Sequence, residues 1–239
     1  MSDGSATALS ERKRGQGVKL VYQMLRDDIL NLVLLPGSPI DEIQLAEQFS
    51  MSRTPIREAL VRLAGEGLVQ TLPNRSTIVS NIDFVNLNQF FDAITLMYRV
   101  TTRLAAQNRT DPDLETIRAR QADFVRAVEA QDALAMISAN RDFHAAIAEA
   151  GRNQYYTGLF CRLLDDGRRI MRIYYYSSYD DRLPMRYVEE HDLMIATIDA
   201  RDVEAADRLA TTHADQIVEQ IQQMITRDQR QEISLNRAR

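Results

Sequence analysis

One segment of this 239-residue chain, residues 34–80, constrains the fold more than any other. Apolar residues recur at helical spacing from about Asp41 to Phe49, and a second helical pattern begins after a polar turn, at Ser52. Either Ser52 or Thr54 can cap the second helix, and Gly67 can end it in a left-handed conformation. The segment therefore starts with two short helices joined by a tight turn.

The rest of this segment predicts a β-hairpin. Leu68–Thr71 and Thr77–Ser80 alternate as strands around a short turn, in which Asn74 tolerates a positive φ. An earlier helical pattern, from Val18 to about Leu32, supplies apolar side chains that can pack behind the two helices. Together these elements predict a winged helix-turn-helix domain over residues 15–80.

The polar face of the second helix suits DNA. Arg53 and Arg57 are four residues apart near the N-terminus, so they share one side of the helix end that enters a major groove. Arg75 at the wing tip can reach a phosphate or the minor groove. Alternatively, the two helical arginines only solvate the helix and pair with Glu58 or Glu47. The candidate DNA-binding residues are Ser52, Arg53, Thr54, Arg57, Asn74 and Arg75.

The charge distribution is compatible with DNA binding although the net charge is −5. Residues 1–79 contain nine basic and nine acidic side chains, so the excess of acid lies in the rest of the chain. Residues 1–14 are expected to form a disordered arm. The chain has one cysteine, Cys161, and neither a signal peptide nor an apolar run of membrane-spanning length, which favours a cytoplasmic protein.

After a junction at residues 80–83, the pattern is helical throughout. Short polar breaks divide it into six helical segments, which predicts a mainly α fold with an antiparallel six-helix bundle over residues 83–228. Residues 229–239 are expected to fray. The six segments are about 83–107, 111–130, 132–149, 153–179, 182–200 and 202–228.

All three histidines of the chain lie in the bundle region. His144 follows Asn140 by four residues, so both project from one side of the third bundle helix, while His191 and His213 lie on the fifth and sixth. Side chains from facing helices commonly build metal sites in a bundle core. Imidazole suits zinc, nickel, iron or copper, although a lone helical histidine is more often a core or surface residue.

The run Ser52–Leu60 (SRTPIREAL), with Pro36-Gly37 before it and Glu66–Val69 after it, resembles the N-terminal domain of GntR-family bacterial transcription regulators. The resemblance implies a homodimer that binds a short palindromic operator through the second helix and the wing. Three positions depart from the family pattern, and at the first of them Leu32 stands where the family often has glycine. Ile43 stands where some members carry a DNA-contacting arginine, and Asn74 stands where the wing tip often has glycine.

Three later segments, residues 140–153, 189–206 and 212–217, resemble the FCD domain, the helical ligand-binding domain of the FadR-type GntR subfamily. Six helices rather than seven favour its VanR-like branch. The resemblance implies a divalent metal at the floor of the effector pocket, with zinc expected first and nickel or another transition metal as alternatives. Many members have aspartate at the first ligand position, and asparagine removes that charge. The implied ligands are Asn140, His144, His191 and His213.

The expected effector is a small organic acid or a related anionic metabolite, because three neutral imidazoles leave positions on the metal that a carboxylate can fill. Arginines on the first and fourth bundle helices can bind such an anion, and Arg168 with Tyr174-Tyr175-Tyr176 lies beside two of them. The alternative is a solvated basic face with core or interface tyrosines. The candidate effector residues are Arg99, Arg103, Arg169 and Arg172.

Two rival functions remain at this level. A histidine–metal site on a helical bundle can catalyse, but the sequence shows no nucleophile–base pair or phosphate loop, so no enzyme is expected. A regulator that senses the metal itself is the second rival. The sequence favours a ligand-responsive transcription regulator, with repression as the expected mode and no membrane partner.

Overall fold

The computed structural model describes residues 3–178 and 185–237. The chain divides into two compact units, Met1–Ile82 and Asp83–Arg239, and the division falls at the predicted junction. None of the helices in these described ranges is long and apolar enough to cross a membrane.

The first unit contains three helices, α1 (Asp3–Leu30), α2 (Glu42–Gln48) and α3 (Arg53–Gly65). Asp41 caps α2, because its Oδ1 accepts hydrogen bonds from the backbone N–H groups of Ile43 at 2.7 Å and Gln44 at 3.2 Å. Pro55 stands in the first turn of α3, where no helical partner is needed for its nitrogen. Gly67 follows α3 with a left-handed φ of 77°, as the sequence predicted.

Helix α1 differs from its predicted extent. It begins at Asp3, whereas we expected a disordered arm over residues 1–14 and a helix from Val18. The added stretch contains no proline, and its alanine, leucine, glutamate and arginine residues favour a helix, whereas its three glycines oppose one. Met24, expected in the core, is 42% exposed, while Val21 is fully buried.

A three-stranded antiparallel sheet completes the first unit, with the order β1 (Pro39–Ile40), β3 (Thr77–Val79), β2 (Val69–Thr71). Ile78 of the central strand lies opposite both Pro39 and Gln70. The sequence predicted the hairpin of β2 and β3 but not β1, because two residues are too few to show an alternating pattern.

The hydrophobic core of this unit is built around α1 and α3, which pack against each other. Aliphatic side chains from α1, α3 and the two wing strands fill it, which leaves the first turns of α3 at the surface. Its buried residues include Val21, Leu25, Ile29, Leu30, Ile56, Ala59, Leu60, Leu63, Leu68, Val69 and Val79.

The second unit is helical throughout its described residues and contains the six helices that the sequence predicted. Helix α4 packs against α9, α5 against α6, and α6 against α7. The helices are α4 (Leu87–Asn108), α5 (Asp111–Glu129), α6 (Ala133–Ala150), α7 (Gln154–Ser178), α8 (Arg186–Asp199) and α9 (Val203–Arg237).

The breaks between these helices have local physical causes. Thr110 and Asp113 form a capping box at the start of α5, and Asp132 accepts the Ala135 N–H at the start of α6. Arg152 and Arg201 take positive φ values of 60° and 58° just after their helices. The break predicted at Asp180-Asp181 lies outside the described residues. Helix α9 continues to Arg237, so the tail expected to fray from residue 229 is helical.

Candidate nucleic-acid interface and metal centre

The N-terminal turns of α3 present two exposed arginines. The side chains of Arg53 and Arg57 are 51% and 60% exposed. Arg53 Nη2 and Arg57 Nε both donate to Glu42 Oε2, each at 2.8 Å. Glu42 therefore holds both guanidinium groups side by side on one face of the first unit.

Glu42 comes from α2, whereas the alternative considered from sequence paired the arginines with Glu58 or Glu47. The hydrogen bonds from Arg57 and Arg53 hold the pKa of the Glu42 carboxyl below its usual value. Ser52 occupies the N-cap position of α3 with extended backbone, and its side chain makes no capping hydrogen bond. Thr54 is exposed in the first turn, beside Arg53.

The wing tip corrects one prediction. Arg75, rather than Asn74, has the positive φ, at 65°. The Asn74 side chain instead accepts hydrogen bonds from the Ser76 N–H at 3.1 Å and the Ser76 hydroxyl at 2.7 Å. A tight turn followed by one left-handed residue is a common three-residue hairpin loop, and Pro73 suits the first central position of that turn. Asn74 and Arg75 are both exposed at the tip.

In the second unit, the three histidines converge from three helices. His144 lies on α6, His191 on α8 and His213 on α9, and one ring nitrogen of each lies within 4.8 Å of the others. The Nε2 atoms of His144 and His213 are 3.1 Å apart. All three side chains are at most 1% exposed. The structure thus brings together the three imidazoles that the sequence proposed as ligands.

The environment keeps two of these imidazoles, those of His144 and His191, in the form that binds metal. Burial, reinforced by neighbouring imidazoles, lowers the pKa of His144 and of His191 well below the usual value. His191 Nε2 is buried without a hydrogen-bond partner among the described residues. A buried nitrogen lone pair aimed at two other imidazoles fits a transition metal, so the donor set suits the ion that the sequence implied.

Asn140, the predicted fourth ligand, makes a different contact. Its side chain lies beside the hydroxyl group of Tyr98, and both residues line one pocket. The Tyr98 ring in turn meets the His144 ring edge-on, with 4.7 Å between the ring centroids, and lies 5.5 Å from the His213 ring. Burial raises the pKa of Tyr98, so its hydroxyl stays protonated at neutral pH.

A pocket lies on the other side of Tyr98. It is narrow, with a cavity volume of about 20 Å³, which is room for about one water molecule. Asn140, Arg141 and Arg168 supply its polar atoms together with Tyr98, and aliphatic side chains supply the rest of its wall. The aliphatic lining residues are Ile94, Ile137, Leu164, Ile217 and Ile221, with Met171 beside them.

Comparisons with known proteins agree with both halves of this description. The model of the family described as "Bacterial regulatory proteins, gntR family" matches residues 11–79, and that of the FCD domain matches residues 89–216. The chain belongs to the GntR family, in the group with an FCD domain. This membership confirms the resemblance noted in the sequence, and it identifies a DNA-binding transcription regulator rather than an enzyme.

Several GntR regulators are similar along most of their length. The HTH-type transcriptional repressor RspR of Escherichia coli is 24% identical over 85% of this chain and 88% of its own length. The regulator LutR of Bacillus subtilis is 28% identical over 77% of this chain and 92% of its own length. Among solved structures, McbR/YncC of E. coli has a TM-score of 0.73 at 22% identity and covers 87% of this chain and 98% of its own, which supports the fold.

Within this GntR regulator, the described lining of the pocket beside Tyr98 contains none of the four arginines predicted to bind an effector, although Arg99 lines a second, more open pocket with Asp92 and Asp215. Arg99 donates to Asp207 at 2.8 Å, and Arg103 forms an ion pair with Glu204 at 3.1 Å, so both link α4 to α9. Arg169 is fully buried and donates to Asp166 at 3.2 Å.

Arg172, the fourth of these arginines, is also buried. The pocket arginines are Arg141 and Arg168. Arg168 was noted in the sequence beside the tyrosine run, whereas Arg141 was missed, although it directly follows Asn140. The side chains of Tyr174-Tyr175-Tyr176 lie outside the described part of the structure.

Proposed function

We propose that this protein is a metal-loaded, effector-released repressor that binds a palindromic operator as a homodimer in the cytoplasm. The observation that carries the proposal is the cluster of three buried imidazoles beside a pocket with two guanidinium groups. The family membership supplies the DNA-binding activity, and this cluster supports the manner of its control.

The residues Ser52, Arg53, Thr54 and Arg57 are proposed to contact the operator from α3, and Asn74 and Arg75 from the wing. Arginine's forked donors match the paired acceptors of guanine or a phosphate. Both α3 arginines are exposed and bound only by a surface carboxylate, so DNA can replace Glu42 as their partner. A palindrome requires two copies of this face related by two-fold symmetry.

The second unit is proposed to supply the contacts of the homodimer. Three apolar side chains of α4 differ in their exposure. Phe91 and Met97 are buried in the bundle, whereas Leu96 is 52% exposed. Leu96 therefore remains the α4 residue of that set best placed for a contact between copies.

The three histidines are proposed to bind one divalent ion, with zinc as the first expectation. Bound there, the ion supplies open coordination positions for an anionic ligand. Asn140 is proposed as the fourth ligand, through its amide oxygen, once its contact with Tyr98 is exchanged. A small carboxylate that widens the pocket would lie against Tyr98, with Arg168 in the lining to neutralise its charge, while Arg141 in the same lining is paired with Asp165 at 2.8 Å.

The test combines elemental analysis of protein purified without chelators with a titration of operator release. Zinc is added to chelator-stripped protein, and small organic acids are then titrated against the operator complex. We expect metal to bind without releasing the operator and one of the acids to release it only when metal is bound. Release by zinc alone would instead identify a metal-sensing regulator. Protein that carries no metal and takes none up would refute the metal site.

A further inference from the structure

Two polar side chains contact the histidine cluster from outside and have no role in the function described so far. Gln121 of α5 lies 2.9 Å from His191 Nδ1, measured at its Oε1 atom. Glu190 of α8 lies 3.0 Å from His213 Nδ1, measured at its Oε2 atom. Both contacts involve the ring nitrogen that faces away from the centre of the cluster.

The orientation of Gln121 follows from its other contacts. Its Nε2 donates to the carbonyl oxygen of Val188 at 3.1 Å and to Asp192 Oδ1 at 3.0 Å, and both of these atoms are acceptors. The Oε1 atom must therefore face His191 and accept from it. Since His191 Nδ1 carries the proton, His191 Nε2 carries a lone pair, and that atom is the buried nitrogen without a partner among the described residues.

Glu190 fixes His213 in the same way. A carboxylate only accepts, so His213 Nδ1 donates to it and His213 Nε2 keeps a lone pair. That lone pair faces His144 Nε2 at 3.1 Å, which makes His144 the donor in the metal-free protein. A cation at the centre can accept all three Nε2 lone pairs once His144 changes to its Nδ1–H tautomer, with the Nε2 proton lost to solvent and Nδ1 protonated in its place.

We infer that Gln121 and Glu190 are positioning residues for the metal: they lock His191 and His213 in the tautomers whose Nε2 atoms point at the ion. Glu190 also places a carboxylate next to His213, on the side of the ring away from the proposed ion. The proposed ligands of that ion are all neutral. It thereby supplies the charge that an aspartate at position 140 would bring. The inference rests on the metal site of the proposed function. Partners of this kind orient metal-binding histidines and raise their basicity.

The first experiment compares Glu190→Gln with Glu189→Gln. The two changes remove the same charge from adjacent residues, but Glu189 is exposed and Glu190 contacts His213. Zinc affinity is measured by competition with a chromogenic chelator, and folding is checked by circular dichroism. We expect Glu190→Gln to weaken zinc binding by about 10- to 100-fold and Glu189→Gln to leave it unchanged. Equal affinities in both variants and wild type would overturn the inference, whereas wild type that binds no zinc would overturn the proposed site itself.

A second measurement reads the tautomers directly in metal-free protein. Imidazole ¹⁵N shifts distinguish Nδ1–H from Nε2–H, and the chain has only three histidines to assign. We expect His191 and His213 as Nδ1–H tautomers in wild type. Gln121→Leu should release His191 into a mixture without changing His213. Wild-type spectra with Nε2–H at both residues would contradict the inference, even if a variant failed to fold.

The compensating charge is tested by a double-mutant cycle with Asn140→Asp. An inner carboxylate should strengthen zinc binding more in the Glu190→Gln protein than in wild type, because only there is the site left without a negative charge. The same gain in both backgrounds would show that Glu190 does not substitute for an inner-sphere charge.

Discussion

The two polar sites of this protein differ most in their exposure. In the first unit, Arg53 and Arg57 share the surface carboxylate of Glu42, and about half of each arginine side chain is open to solvent. In the second, the three histidines are at most 1% exposed, and side chains such as Gln121 hold them. Surface ion pairs contribute little to stability and exchange partners easily, whereas a buried polar network costs free energy wherever a member is removed.

This difference separates two kinds of recognition. The arginine site is assembled by two neighbouring helices, and we propose that a phosphate or base replaces Glu42 there. The histidine site is assembled by three helices, which bring its three rings together in the buried core. Changes at the first site should therefore alter DNA binding with little effect on folding, and changes at the second should alter ligand binding and stability together.

The largest expected effect is on operator binding by Arg53→Ala and Arg57→Ala. Loss of a base contact costs about 1–3 kcal/mol in each half-site, so on the order of 2–6 kcal/mol in a dimer. Fluorescence anisotropy with a labelled operator measures the affinity. Arg62→Ala is the control, since it removes the same charge from the same helix and lies beside Glu66 and Tyr22. Undiminished affinity in either test variant would exclude that arginine from the interface.

Replacement of any one histidine by alanine should remove metal and its stabilising effect. A ligand present at 100 times its dissociation constant adds about 2.7 kcal/mol to the free energy of unfolding. Thermal melts with and without zinc should therefore differ for wild type and coincide for each of His144→Ala, His191→Ala and His213→Ala. Operator binding without effector should persist in all three. A zinc-dependent shift that survives in a variant would show that the histidine is not a ligand.

The pocket prediction concerns Arg168→Gln. A hydrogen bond to a charged group contributes roughly 1.5–3 kcal/mol, so the effector concentration needed for operator release should rise about tenfold or more. Arg99→Gln is the matched control, because Arg99 binds Asp207 instead of lining the pocket beside Tyr98. If Arg99→Gln impairs release and Arg168→Gln does not, the effector lies outside this pocket.

A smaller effect is expected from pH in metal-free protein. The folded-state pKa values of His144 and His191 are lowered, so below about pH 6.5 the unfolded chain binds more protons than the folded one. The free energy of unfolding should then fall by up to about 1.4 kcal/mol per pH unit for each of these histidines. Denaturant melts between pH 7.5 and 5 measure the slope. His144→Ala should reduce it.

The smallest change is expected from Glu42→Gln. It removes the shared acceptor of Arg53 and Arg57 but leaves an amide oxygen at the same place, and surface ion pairs contribute only about 0–1 kcal/mol to stability. Thermal melts should match wild type closely. A large loss of stability would show that the arginine site is part of the folded framework, and the contrast between the two sites would disappear.

Local sequence patterns predicted much of the first unit, including the two exposed arginines of α3. Helix α3, Gly67 and the hairpin depend on residues within a few positions of one another, so their signals lie in short runs of sequence. Contacts between residues of different helices or strands were harder to predict from the sequence. Glu42 was missed as the partner of both arginines, because sequence spacing pointed to Glu58 and Glu47 on or near the same helices. At the wing, the Asn74 side chain accepts hydrogen bonds from Ser76, and Arg75 takes the positive φ that we had expected at Asn74.

In the bundle, helix number and the histidine set were accessible through helical periodicity and the family resemblance. The packing partners of those residues were not. Gln121 and His191 are 70 positions apart in the chain, and only the packing of α5 against α8 brings them together. The same holds for Arg99 and Arg103, whose carboxylate partners on α9 could not be foreseen from α4 alone.

Tyr98 forms a wall shared by the pocket and the histidine cluster, since its ring lies against His144 and His213 and its hydroxyl against Asn140. An ion in the histidine cluster would act on this ring through His144 and His213, and an anion in the pocket would contact it directly. Their binding energies are then coupled, and the coupling is reciprocal: each ligand changes the affinity of the other by the same factor. The amount of effector that frees the operator would accordingly depend on how much metal the cell supplies, because both ligands would act on the same tyrosine.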